Sequence, residues 1–418
     1  MRVSHVWRKD TGVPDFAQYG PITTIHELGT VDRDALEAKL SRSVRESPIG
    51  LLLPITASDM QAEPFANIIG KLTEANFIDT IVIVLNRADS VEDYRATHAI
   101  TKQLGERARI LWTDGPRGKQ LFHELTEAGF DVSRAGKGRA VWTGFGYLLA
   151  DPRLKAYVLQ DCDIVNYDND MLMRLCLPMA HPSLDFDFCK AYYARCTDRM
   201  HGRVARLLMT PITRAMISVL GSDKFLVFVR SFRYPLAGEF AVAATLARSN
   251  RIPCDWGLEV GTLAEVFRNT SPKRVCQVDL GRAYEHKHQP LSLEDRTRGL
   301  MGMASDILTS ILRTLMSQGM VVTRGHLLSI RNSYLRLAQD AIRQYHADAL
   351  LNNLEYDRHG EEMAIEAFAE QITAAGEMVF TDPSGASALP TWTRVVAALP
   401  EFSARLRQCA DDDLAEYS

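Results

Sequence analysis

Short, largely apolar runs alternate with helix-like segments along this chain, and that alternation constrains its fold more than any other feature. Ile49-Gly-Leu-Leu-Leu-Pro-Ile55, Ile78-Asp-Thr-Ile-Val-Ile-Val-Leu85, Ala108-Arg-Ile-Leu-Trp112 and Ala156-Tyr-Val-Leu-Gln160 are each bounded by polar or turn-forming residues. Runs of this length and continuity read as strands buried on both faces, which implies a parallel sheet covered by helices. The expected class is α/β, with ligands received where the strands end at their carboxyl termini.

Length and charge narrow the function. At 418 residues the chain has room for two or three domains. Its 48 basic and 52 acidic residues give a net charge of −4, too balanced for nucleic-acid binding by bulk electrostatics. The greasiest stretch, Leu207 to Val229, is cut by Arg214, Asp223 and Lys224, so no membrane span is expected. Charged residues from Arg2 to Asp10 leave no signal-peptide core, and the seven cysteines are scattered without a C-x-x-C pair. Reduced thiols and a cytoplasmic location are the expectation.

Residues 1–46 read as a polar N-terminal arm with one helical stretch, Val31–Leu40, and residues 47–290 as the α/β domain. Residues 291–418 read as helical: Leu300, Ala304, Ile307, Leu308, Ile311, Leu312 and Leu315 form one apolar stripe behind Ser292 as a cap, with Asp295 three positions on. Further helices are expected near Ile330–Leu354 and over Glu361–Ala375, the latter stopped by Gly376, with a break at Thr381–Ala386.

Several motifs could carry chemistry. The strand Val158-Leu-Gln runs into Asp161-Cys-Asp163, placing two carboxylates at a sheet's end. Such oxygens suit Mg²⁺ or Mn²⁺ with positions left for a diphosphate, although the pattern also serves as a strand-end cap. Gly136-Lys137-Gly138 precedes a helix-like segment; it offers a close backbone approach and a point charge, or is an ordinary loop. It fits neither the P-loop nor the dinucleotide fingerprint. Glu239 and Glu259 lie in glycine-bearing segments, where either could position a sugar hydroxyl, or Glu259 could cap a helix beginning near Gly261. His286 and His288 follow a strand, and one imidazole could complete a metal shell or lie at the surface. Arg199, His201, Arg203 and Arg206 cluster around Gly202 before an apolar helix, as an anion site or a solvated basic face.

In order, Gly136-Lys-Gly-Arg-Ala-Val-Trp142, Asp161-Cys-Asp163, Gly202-Arg-Val204, Pro235-Leu-Ala-Gly-Glu239, Gly257-Leu-Glu-Val-Gly261 and Gln277-Val-Asp-Leu-Gly281, followed by His286 and Pro290-Leu291, resemble glycosyltransferase family 81. That family comprises glucosyl-3-phosphoglycerate synthases, with relatives that make mannosyl-3-phosphoglycerate or glucosylglycerate. The resemblance covers about residues 48–292. It implies a GT-A fold and retaining transfer of glucose from a nucleotide diphosphate, UDP-glucose or GDP-glucose, to the 2-hydroxyl of 3-phosphoglycerate. It implies Asp163 and His286 as ligands of Mg²⁺ or Mn²⁺, with Asp163 and Glu259 as the catalytic carboxylates. Pro54, Ile55 and Thr56 then form the first nucleotide-binding loop. Asn86, Lys137, Asp161, Gly238 and Glu239 also belong to the nucleotide-sugar side, and Gly202, Arg203, Val204, Arg282 and His288 to the acceptor side. A homodimer formed with help from the helical tail is also implied.

This chain departs from the family pattern in three places. Behind Thr56 it reads Ala57-Ser58-Asp59, where the family has an acidic residue closer. Ala205 replaces a threonine, and Arg282-Ala-Tyr-Glu is one residue longer than the usual stretch before the histidine. The last two leave unphosphorylated glycerate open as an acceptor. Two other classes compete. A sugar-1-phosphate nucleotidyltransferase would want a glycine-rich loop where Pro54–Ser58 stands, and a non-catalytic scaffold would not need Lys137, Asp161, Asp163 and His286 together.

Overall fold

The computed structural model describes residues 18, 20–29, 32–281, 285, 295, 298–385 and 388–418. Eight strands form one sheet: β1 (Thr23–Ile25), β2 (Ile49–Thr56), β3 (Thr80–Asn86), β4 (Ala108–Trp112), β5 (Ala156–Leu159), β6 (Phe188–Tyr192), β7 (Phe240–Ala243) and β8 (Val275–Asp279). Their spatial order is β1-β8-β6-β7-β5-β2-β3-β4. All neighbours are parallel except β7, which runs antiparallel to β5 and β6. The four apolar runs of the sequence are β2 to β5, and all side chains of β3 and β5 are buried, as a sheet covered on both faces requires.

Strands β1, β6 and β7 have weaker sequence signals. Thr23–Ile25 lies in what reads as a polar arm, yet it adds an edge strand beside β8, with Thr24 accepting a hydrogen bond from the Gln277 amide at 2.8 Å. Phe188-Cys-Lys-Ala-Tyr192 carries a lysine at its centre, and Phe240–Ala243 is only four residues long.

The helical region is continuous with the domain's core. Tyr157, Phe145 and Phe240 on one face of the sheet belong to the same apolar cluster as Ile307, Ile311, Ile330, Phe368 and Trp392. Trp142 and Trp392 stack at 4.3 Å, and each indole N–H donates to a backbone carbonyl, of Pro390 and Trp142 respectively. The long helices span Gly299–Ser317, Arg324–Leu351 and Arg358–Thr381. The first begins at Gly299 with Arg298 before it and no side-chain cap, so the cap expected at Ser292 does not start this helix; Ser292 itself lies outside the described residues. Gly376 does not stop its helix either. A Cβ there would sit 2.1 Å from Leu327 Cδ1, so the glycine serves close helix packing instead. Among the described residues no helix is long and apolar enough to cross a membrane.

Candidate active site

The site is assembled at the carboxyl ends of β2, β3 and β5. At the end of β2, Thr56 caps the short helix Ala57–Met60: its hydroxyl accepts from the Asp59 N–H at 3.2 Å and donates to the Asp59 carboxylate at 2.7 Å. Asp59 thus folds back onto Pro54-Ile55-Thr56, which is the end of β2 itself and not the loop the resemblance implies. Asn86, buried at the end of β3 and in register with Thr56, donates its amide to the Ile55 carbonyl at 2.8 Å and fixes this strand end from the other side.

Beyond β5 come Asp161 and Asp163. Lys137, in the first turn of the helix Lys137–Leu149, reaches Asp161 at 2.6 Å and stands 3.7 Å from Glu259. Desolvation works against the lysine's charge, but Asp161 and Glu259 outweigh it and hold the ammonium far above its usual range. Burial and the neighbouring Asp161 push Asp163 up to about 6, against the pull of Lys137. The helix Leu258–Asn269 starts before Gly261, so Glu259 projects from its first turn. Burial raises its pKa against the attraction of Lys137 and Lys190.

Two glycines make the assembly possible. A Cβ on Gly138 would lie 1.9 Å from the Pro253 carbonyl oxygen, so only glycine lets the lysine-bearing helix seat there. A Cβ on Gly238 would lie 2.3 Å from the Asp161 carboxylate and 2.9 Å from Lys137 Nζ. The Leu236–Glu239 loop therefore rests directly on the Lys137–Asp161 pair. Glu239 is buried and accepts from the Tyr193 hydroxyl at 2.9 Å.

The second cluster is joined to this one through aromatic rings. Tyr193 packs on Tyr234 at 4.9 Å, and the Tyr234 hydroxyl faces Gly202, whose φ of +74° favours glycine. Val204 begins one turn of π-helix, Val204–Met209, that leads into the helix Thr210–Leu220. Arg203 donates through Nε to Glu361 at 2.9 Å, and Arg206 donates to the other oxygen of the same carboxylate at 2.8 Å. Glu361 is buried in the first turn of the helix Arg358–Thr381. Arg206 is largely buried and also holds the His201 carbonyl, so it belongs to no solvated basic face. Sequence reasoning missed Glu361, which lies 158 positions from Arg203 and carries no local motif.

Arg282, His286 and His288 lie outside the described residues. Glu285, next to His286 in the chain, donates its N–H to Asn166 at 3.1 Å and accepts from the Val165 N–H at 2.9 Å, just beyond Asp163. Among the described residues no group of three or more His, Cys, Asp or Glu forms a metal cluster. Asp163 and Asp161 nevertheless suit a divalent cation. They are hard oxygen donors one residue apart, and a cation would favour the charged form that burial and the repulsion from Asp161 disfavour at Asp163.

A mixed sheet with one reversed strand, with two aspartates just beyond its central β5 and Lys137 gripping the first, is the architecture of a GT-A glycosyltransferase. The comparisons with known proteins agree. The chain is 42% identical to glucosyl-3-phosphoglycerate synthase of Persephonella marina over 96% of its own length and 98% of the relative's. It is 39% identical to glucosyl-3-phosphoglycerate synthase of Methanococcoides burtonii over 95% and 97% respectively. Among solved structures it matches glucosyl-3-phosphoglycerate synthase from Mycobacterium tuberculosis in complex with Mn²⁺, UDP-glucose and phosphoglyceric acid. The TM-score is 0.52 at 20% identity, covering 71% of this chain and 88% of that one, a likeness of fold. No family model matches. The chain belongs to the glucosyl-3-phosphoglycerate synthase family.

Proposed function

We propose that this protein transfers glucose from UDP-glucose to the 2-hydroxyl of 3-phosphoglycerate, with retention of anomeric configuration. The observation that carries the reading is the Lys137–Asp161 pair at the end of β5, with the Gly238 backbone seated against it. It gives a nucleotide diphosphate a charged floor and a hexose a backbone wall. The relatives' names supply glucose and phosphoglycerate as the substrates. Asp163, with Asp161 beside it and His286 as the resemblance implies, would hold Mn²⁺ or Mg²⁺, which supplies counter-charge to the diphosphate.

The chain's own residues then orient the reaction. The bond from the anomeric carbon to the β-phosphate oxygen breaks, and the bond to the acceptor's 2-hydroxyl oxygen forms on the same face. The hydroxyl proton passes to the departing β-phosphate oxygen, so no protein nucleophile is needed. Glu259, 3.7 Å from Lys137, is placed to hold a sugar or acceptor hydroxyl. Arg203 engages Glu361 through Nε, and its terminal nitrogens make no hydrogen bond to a described residue, which leaves the fork of the guanidinium for the acceptor's anionic groups. Ala205 brings no hydroxyl to that loop, so D-glycerate is the second acceptor to weigh. The same reading takes the protein as a cytoplasmic homodimer, with the helical region contributing to the interface.

The test is a matrix of UDP-glucose, GDP-glucose and GDP-mannose against 3-phosphoglycerate and D-glycerate with Mn²⁺ or Mg²⁺, the products identified by mass and anomeric configuration. α-Glucosyl-3-phosphoglycerate from UDP-glucose is expected as the main product. Pyrophosphate release from a nucleoside triphosphate and a sugar phosphate, or no hexose transfer in any cell of the matrix, would overturn the reading.

A further inference from the structure

Lys190 is the centre of β6 and is fully buried. Lysines ordinarily extend their charged ends to water, and a buried one calls for a partner. Its partner here is a backbone carbonyl: Nζ donates to Ala237 O at 2.7 Å, and the ammonium lies 5.6 Å from the Phe240 ring centroid. In register, Lys190 faces Phe240 on β7 and Gln277 on β8, so the lysine sits under the point where the Leu236–Glu239 loop enters β7. Desolvation pulls its pKa down to about 8, with Glu259 and Glu239 resisting, so the group is predominantly charged at neutral pH.

Methionine has nearly the same length and shape without the charge, so Lys190→Met removes the bond to the Ala237 carbonyl at little change in volume. The hydrogen bond it makes has a directional consequence. The Ala237–Gly238 peptide is trans, so its carbonyl and its N–H point in opposite directions. Drawing the Ala237 carbonyl down onto Lys190 turns the Gly238 N–H to the opposite side, away from Lys190, and that N–H makes no hydrogen bond to a described residue. Gly238 is also the residue that touches Asp161 and Lys137.

We propose that Lys190 is a positioning residue for the donor sugar: it anchors the Ala237 carbonyl so that the Gly238 N–H is presented to the hexose of the nucleotide sugar. The inference rests on the proposed reading that Gly238 and Glu239 face the donor's hexose. It predicts that losing Lys190 harms recognition of the sugar and spares recognition of the nucleotide.

The experiment uses the full chain with Mn²⁺ and compares wild type with Lys190→Met, measuring affinity for UDP and for UDP-glucose by calorimetry and glucose transfer by product formation. The variant is expected to fold, to bind UDP within about twofold of wild type, and to lose at least tenfold in kcat/KM for UDP-glucose. If Lys190→Met does not accumulate as folded protein, Lys190→Gln, which is shorter and neutral, is read by the same UDP against UDP-glucose split. Equal loss for UDP and UDP-glucose would make the lysine a structural residue and overturn the proposal, as would transfer at the wild-type rate. A wild-type protein that binds UDP but gains nothing from the glucose would instead overturn the functional reading on which the proposal rests.

Discussion

The two ends of the site are built differently. At the proposed nucleotide end, Thr56, Asn86, Asp161 and Asp163 stand at or just beyond the termini of neighbouring strands, so the sheet's register alone brings them together. At the proposed acceptor end, the Gly202-Arg203-Val204 loop is held by residues from far along the chain: Glu361 grips Arg203 and Arg206, and Glu355 pairs with Arg199 at 2.7 Å while its N–H donates to Asp198. The first end is a property of the α/β sheet. The second is a joint between that sheet and the helical region, and the contrast means that changes in the helices should alter acceptor recognition while leaving the nucleotide end intact.

The sharpest way to test this contrast is to damage one end at a time. Lys137→Met strips Asp161 and Glu259 of their shared cation; glucose transfer should fall about 10²–10³-fold, read as kcat/KM, a loss typical of removing a charge-stabilising group in a dry site. Arg203→Ala should lower kcat/KM for 3-phosphoglycerate about 10–100-fold, the scale of one or two charged hydrogen bonds, while UDP affinity stays as in wild type. Glu361→Gln keeps an acceptor for the two arginines but removes the charge; it should raise the acceptor KM by roughly 3–10-fold with the same indifference at the nucleotide end. If Glu361→Gln weakened UDP binding as much as acceptor binding, the two ends would not be separable.

A separate effect concerns Lys190 and is read as stability against pH. Its folded pKa of about 8 lies below the ordinary lysine value of about 10.5, so above pH 8 the unfolded chain holds more protons than the folded one, and stability rises with pH across that window. Denaturant unfolding of wild type and Lys190→Met at pH 7.5 and 9.5 should show wild type gaining about 2 kcal/mol relative to the variant. A constant gap between the two proteins would mean that the lysine titrates normally.

Legibility in the sequence follows the same division. β2, β3 and β5 are readable because burial on both faces demands largely apolar residues, and the Asp161/Asp163 pair is readable because it interrupts such a run at its end. β6 was not, because Lys190 breaks its pattern for a reason visible only once Ala237 lies above it. β1 was hidden because Thr23–Ile25 is too short to show a period. Gly376 looked like a helix stop, yet it marks a packing contact with Leu327, and the two uses of glycine leave the same letter in the sequence. Glu361 could not be found from Arg203 because an ion pair across 158 positions leaves no spacing to read.

The central claim is that the carboxylates beyond β5 bind the donor's diphosphate through a divalent cation. Calorimetric titration of UDP into metal-free and Mn²⁺-loaded protein, repeated on Asp163→Ala, addresses it without depending on the identity of the acceptor. The account predicts UDP binding at least tenfold tighter with Mn²⁺ in wild type, and no gain from Mn²⁺ in the variant. UDP affinity that ignores the metal in wild type, or a metal effect of undiminished size in Asp163→Ala, would contradict it.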